Sequence, residues 1–182
     1  MPIFKLVSKT ETGTATRYVT YFVDYRPYHR GFNGTSALVL DFKNGHMFAL
    51  NYFVNLINSN FENKWENCCC VAVPSSDARK TSTPVHDLIR QWVSLRPCLE
   101  DGSAVLVRSR SIPKLAKGGN RNMEVHLNSI RINRKCGIDV SGKNVLLVDD
   151  VITTGNSVLA CASILKDAGA RNVFILTMAK TV

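Results

Sequence analysis

The chain has 182 residues, 45% of them hydrophobic and 20% charged, with a net charge of +9; this is one domain's length with a real core, and the balance excludes a disordered or fibrous protein. No apolar run approaches the roughly 20 residues that span a bilayer, and Met1–Gly13 has no apolar h-region, so a cytoplasmic protein without membrane contact is expected. The six cysteines (Cys68, Cys69, Cys70, Cys98, Cys136, Cys161) form no C-x-x-C pair, which argues against a zinc site or a disulfide framework and for small buried thiols in a reducing compartment.

In chain order, residues 4–23 hold two β-prone runs around Glu11-Thr12-Gly13, the pattern of a hairpin. Residues 24–35 are loop. Ser36 is placed to cap a short helix, "ALVLDFK", that stops at Asn44-Gly45. Apolar residues at 47, 50, 53, 54 and 57 have the spacing of one buried helical face. "CCCVAVP" reads as a buried strand ending at Pro74. Ser82–Leu95, with a capping hydroxyl, Pro84 in its first turn and apolar 85, 88, 89, 92 and 93, predicts a helix.

"SAVLVR" predicts the next strand, and Ser109 to Asn122, with Pro113 and Gly118-Gly119, a long loop of the kind that serves as a lid. "EVHLNSIRI" fits a short helix or a strand. "NVLLV" is a buried strand, "SVLACASILKDAG" a helix closed by Gly169, and "NVFILTM" a last strand. Continuous apolar strands alternating with helices predict an α/β fold, a mostly parallel twisted sheet covered on both faces. The whole chain, 1–182, reads as one domain, with 1–25 a hairpin or hood element and 26–182 the core. Trp65 and Trp92 read as packing residues, and His29, His46, His86 and His126 lack partners at metal-ligand spacing.

Charge is uneven. Eight Lys or Arg lie between Arg108 and Lys135 against Glu124 alone, so this segment carries +7 of the +9. It reads as a face for a polyanion, although no aromatic residue within it could stack on bases.

The chemistry concentrates at "NVLLVDDVITTGNS". Two adjacent carboxylates at the end of a buried strand repel and resist desolvation, so something nearby must compensate them. A nucleotide-hydrolase loop is excluded. "GIDVSGKN" resembles G-x-x-x-x-G-K-[ST], but Asn144 replaces the metal-ligating hydroxyl and the segment leads into a strand. A phospho-acceptor receiver is excluded too, because only 32 residues follow Asp150. What fits is a small-residue turn, Thr153-Thr154-Gly155-Asn156-Ser157, opening a helix whose N-terminal N–H groups hold a phosphate. Asp149 and Asp150 beside it can accept from vicinal sugar hydroxyls. Together they describe a ribose 5-phosphate site.

"VLLVDDVITTG" resembles the signature of type I phosphoribosyltransferases. Further stretches resemble the ComF-like, competence-associated members: "LDFKNGHMFALNYFVNLIN", "VAVPSSDAR", "VRSRSIPKLAKGGNRNMEVHLNSIRI" and "AGARNVFILTMAKT", within Tyr25–Thr181. The chain lacks the four-cysteine zinc module of many of those members, and "RGFN" occurs at Arg30–Asn33 and not after the "VAVPSSDAR" region.

The resemblance implies transfer of phosphoribosyl from 5-phosphoribosyl 1-pyrophosphate to a nitrogen nucleophile, with release of pyrophosphate. Asp149 and Asp150 would orient the ribose, and Thr153, Thr154, Gly155, Asn156 and Ser157 would bind the 5-phosphate. Ser75, Ser76, Asp77 and Arg79 would take the pyrophosphate. Arg108, Arg110, Lys114 and Lys117 would form a flexible loop closing over it. Mg²⁺ would be held mainly through the substrate. The ligand would be 5-phosphoribosyl 1-pyrophosphate or a ribose 5-phosphate nucleotide, and related enzymes often dimerise. The alternative is a non-catalytic competence-type module that senses a nucleotide or binds single-stranded DNA.

Overall fold

A computed structural model describes residues 2–10, 13–60, 67–113 and 122–182. The centre is a six-stranded sheet in the order β1-β2-β8-β7-β3-β4. Its strands are β1 (Ile3–Thr10), β2 (Gly13–Tyr25), β3 (Cys68–Ala72), β4 (Glu100–Asp101), β7 (Asn144–Ile152) and β8 (Asn172–Thr181). Only β1 runs antiparallel, paired with β2 from Ile3↔Thr20 to Thr10↔Gly13, as expected of the hairpin; Glu11 and Thr12 of its turn lie outside the described residues. Every other neighbouring pair is parallel. The N-terminal element is an integral part of this sheet, since β2 pairs with β8 from Val19↔Ile175 to Tyr25↔Thr181.

The buried strands divide two cores by simple alternation. Cys68, Cys70, Ala72, Leu146 and Val148 face one side, against α1 (Gly34–Lys43), α2 (Met47–Asn60) and α3 (Pro84–Leu95). Cys69, Val71, Val145 and Leu147 face the other, against α5 (Asn156–Asp167) and a two-stranded antiparallel sheet of β5 (Leu106–Arg108) and β6 (Ile130–Ile132). Burying each large side chain of the β7 run contributes about 1.5–3 kcal/mol, so β7 is anchored on both faces before it reaches its acids. All six cysteines are free. Burial pushes the Cys68 thiol up to about 11 and that of Cys69 up to about 12, so they behave as small apolar residues.

Local chemistry explains the helix ends. Thr83 caps α3 in a capping box, in which the Thr83 N–H donates to His86 Nδ1 at 3.2 Å, and Pro84 occupies the first turn. That bond needs an unprotonated Nδ1, and burial lowers the His86 pKa accordingly. Gly169, at φ 91°, ends the α5 segment in the left-handed region that favours glycine.

Several expectations change. Asn33 caps α1, accepting from the Ser36 N–H at 2.9 Å, while Ser36 sits buried inside the first turn and its Oγ accepts from the Arg26 N–H. Met47 is 63% exposed, because it stands at the first position of α2, beyond the face that Leu50, Phe53, Val54 and Ile57 bury. "SAVLVR" is extended only over Leu106–Arg108. "EVHLNSIRI" divides, with α4 (Met123–Leu127) turning into β6. Trp65 lies outside the described residues, whereas Trp92 is core as expected.

Candidate ribose-phosphate site

A cavity of about 600 Å³ opens at the C-terminal edge of the parallel strands, where the chain leaves β2, β3, β7 and β8. Such an edge is the usual place for ligands in open α/β sheets. The acid pair lies inside β7 rather than after it: the strand continues through Asp149 and Asp150 to Ile152. Both carboxylates line the cavity and are partly buried. Each is tied to the backbone next to it, Asp149 Oδ1 accepting from the Asp150 N–H at 2.9 Å and Asp150 Oδ1 from the Val151 N–H at 2.5 Å.

The compensation sought for these acids comes from a residue the sequence did not single out. Lys43, the last residue of α1, places Nζ 3.1 Å from Asp150 Oδ1 and lines the same cavity. Among the described residues, Asp149 has no such ion pair. Desolvation, then the neighbouring Asp150 charge, pushes its carboxyl well above the ordinary range, and Lys43 and the Asp150 N–H pull the other way.

Beyond the acids, Gly155 adopts φ 81° and caps α5. The first N–H groups of α5 have no partner within the helix by construction, and they carry the positive end of its dipole. Of the five residues expected here, Thr153 and Ser157 line the cavity, and Thr154, Gly155 and Asn156 do not. Thr153 Oγ1 is 2.8 Å from Thr181 Oγ1 at the end of β8, which fixes the turn against the sheet.

The turn after β3 is built differently. Ser75 and Ser76 line the cavity; Asp77 and Arg79 do not. Its N–H groups are used internally: Asp77 donates to Ser75 Oγ, Ala78 to Ser111 Oγ, Arg79 to Asp77 Oδ1 and Lys80 to the Asp77 carbonyl. The Arg79 guanidinium grips the Asp77 carboxylate through Nε and Nη2 at 3.0 and 2.9 Å, holding its pKa far below the usual carboxylate range. Lys80 presents a cation to the cavity, and Ser82 and Thr83 bring in the N-terminus of α3.

Arg108, expected in a flexible loop, is the last residue of β5 and only 7% exposed. Its Nε donates to the Ser75 carbonyl and Nη1 to Ser129 Oγ at 2.6 Å, with Nη2 3.4 Å from His126 Nδ1. It therefore links the turn after β3 to α4, and both Arg108 and His126 reach the cavity wall. Arg110 is exposed and away from that wall, and Lys114 and Lys117 lie outside the described residues. Lys143 of the phosphate-loop look-alike is paired with Glu100 at 2.7 Å and ties β7 to β4, a structural use that agrees with the exclusion above.

Magnesium is tested by the donor set. Two carboxylates with hard oxygen donors face the cavity, but no cluster of three or more His, Cys, Asp or Glu forms among the described residues. The site fits an ion that takes most of its oxygens from substrate and water.

Residues 103–181, which include the acid pair and its turn, match the family described as the phosphoribosyl transferase domain. Among characterised proteins, the chain is similar to the ribose-phosphate pyrophosphokinase of Pyrococcus abyssi (strain GE5 / Orsay), 49% identical over 39 residues, 21% of this chain and 14% of that protein. It is similar also to the adenine phosphoribosyltransferase of Mycolicibacterium smegmatis, 34% identical over 71 residues, 38% of this chain and 39% of that protein. The chain thus spans well under half the length of these relatives. Among solved structures it is similar to a hypoxanthine phosphoribosyltransferase from Staphylococcus aureus, with a TM-score of 0.41, 14% identity and coverage of 79% of this chain and 74% of that one. No helix among the described residues is long and apolar enough to cross a membrane.

Proposed function

We propose that the cavity binds 5-phosphoribosyl 1-pyrophosphate and that the protein transfers its phosphoribosyl group to a nitrogen nucleophile such as a nucleobase. One observation carries this reading: two adjacent carboxylates, Asp149 and Asp150, and two residues of the turn that opens α5, Thr153 and Ser157, converge on one cavity. In the reaction the bond from C1 to the pyrophosphate oxygen breaks, the C1–N bond forms, and pyrophosphate leaves with the bonding pair.

The α5 turn would fix the 5-phosphate and Asp150 the ring hydroxyls, so that C1 is held still while charge develops on it. Arg108 and Lys80 would face the departing pyrophosphate. Mg²⁺, when bound, would neutralise charge on the pyrophosphate. The ComF-like motifs and six free thiols support a cytoplasmic member of that subgroup.

The single-stranded DNA reading has weaker support. Of the eight cations in its segment, Arg108 is buried and Arg131 is turned onto the carbonyls of Leu127, Asn128 and Ile130. A screen of nucleobases for pyrophosphate release tests the transferase reading, with Asp149→Asn/Asp150→Asn as control. Release that survives the double substitution would place the chemistry elsewhere, and calorimetry showing no binding of 5-phosphoribosyl 1-pyrophosphate with Mg²⁺ would overturn the proposal.

A further inference from the structure

Lys43 reaches the acid pair from the side opposite to the phosphate turn. Its helix α1 belongs to the core face built on Val39 and Phe42, whereas α5 belongs to the other face through Val158 and Cys161. Phe42 is fully buried and packs edge-on against Phe53, and the turn after α1 is closed by the Gly45 N–H to Phe42 carbonyl bond and the His46 N–H to Asp41 carbonyl bond. The backbone beside Lys43 is therefore rigid, although the side chain is only partly covered. A lysine ending a helix is ordinarily explained by the helix dipole. This one instead spans to a carboxylate 107 positions away in sequence. With side chains 38% and 30% exposed, the pair adds little to folding, so stability does not account for it.

We propose that Lys43 is a positioning and specificity residue: the resident counter-ion of Asp150, which holds that carboxylate aimed to accept the sugar's hydroxyls, so that the ribose 5-phosphate half of the ligand binds without a divalent cation. The inference rests on the reading of the cavity as a ribose 5-phosphate site. It assigns the magnesium requirement to the pyrophosphate half alone, because Lys43 already occupies the Asp150 oxygen that would otherwise draw a cation.

The test is calorimetry of the whole chain with ribose 5-phosphate, first in EDTA and then with Mg²⁺. The wild type binds in EDTA, and Mg²⁺ changes its Kd by less than about twofold. Lys43→Met loses about tenfold or more in EDTA, and Lys43→Arg recovers most of that loss. In an Asp150→Asn background, Lys43→Met causes no further loss, because the lysine acts through that carboxylate. Its thermal midpoint stays within about 2 °C of the wild type.

Binding by Lys43→Met equal to wild type in EDTA, or wild-type binding of ribose 5-phosphate only with Mg²⁺, overturns the inference and leaves the cavity reading standing. An early melt shared by Lys43→Met and Lys43→Gln assigns the pair to folding and overturns it as well. If the wild type binds neither ribose 5-phosphate nor 5-phosphoribosyl 1-pyrophosphate in either buffer, the cavity reading itself falls.

Discussion

Two turns leave neighbouring parallel strands at the same edge of the sheet, and they differ in what they do with their backbone donors. The turn after β7 runs through Gly155 straight into a 12-residue helix, whose first N–H groups have no partner inside the helix. The turn after β3 folds back on itself: the N–H groups of residues 77–80 are taken by Ser75, Ser111 and Asp77, and Arg79 closes it from outside. Small residues after a strand are thus an ambiguous signal. A helix opening behind them leaves donors for an anion, and an Asp two residues on gives the donors an internal acceptor.

The largest effect should come from removing the acids beside the open turn. Asp149→Asn/Asp150→Asn should weaken binding of 5-phosphoribosyl 1-pyrophosphate by about 100-fold or more, equal to about 2.7 kcal/mol, while circular dichroism shows the fold intact. Removing the raised Asp149 carboxyl also relieves a desolvated, partly buried acid, so the thermal midpoint should hold or rise.

Next in size is the anchor of the closed turn. Arg108→Met leaves the Ser75 carbonyl and Ser129 Oγ without this donor, and chemical denaturation should show a loss of about 2 kcal/mol. Arg110→Ala, on an exposed residue, should stay within about 0.5 kcal/mol of the parent.

Gly155→Ala attacks the open turn directly. A β-carbon at φ 81° costs about 1–2 kcal/mol, and the turn should shift to relieve it. Affinity for ribose 5-phosphate should fall about tenfold, read by calorimetry, with no comparable change for inorganic pyrophosphate.

Asp77→Ala would convert the closed turn toward the open one by freeing the Arg79 N–H and guanidinium. Affinity for inorganic pyrophosphate should rise, by about threefold; a fall would mean that the internal bonds pre-shape the turn for its ligand.

The smallest effect is on pH dependence. The folded-state pKa of Asp77 lies below its unfolded value, so the stability it contributes is complete above the ordinary carboxylate range and is lost as pH falls through the lowered value. The stability gap between wild type and Asp77→Asn should therefore be flat above about pH 5 and narrow as pH drops below about 4. A gap that stays flat through acid pH would show that the Arg79 clamp does not form in solution.

Legibility in the sequence followed the same divide. The β7–α5 half was readable because its cause is local: an unbroken apolar run, two acids and a glycine turn are contiguous, and each imposes its geometry on the next. The alternation of Cys68, Cys69 and Cys70 between two cores also follows from strand periodicity alone. Lys43 was hidden because its partner lies across the fold, and a lysine before Asn-Gly looks like an ordinary helix end. Arg108 was misplaced for a related reason. A basic cluster reads as a face for a polyanion unless buried acceptors are known, and here they come from Ser75 and Ser129 on separate elements. Met47 matched the helical period but fell at the helix's first position, where period does not guarantee cover.

The pairing of β2 with β8 bears on how the chain is made. During synthesis β2 emerges well before β8, its parallel neighbour, with its apolar Val19 face and one row of backbone groups exposed. Until β8 leaves the ribosome, the β1–β2 ribbon has no edge to join and remains a nascent-chain hazard for mispairing. Shortening the chain from the end of β8 should therefore release elements from its beginning, exposing β1 and β2 to proteolysis while α3 and β3 stay protected.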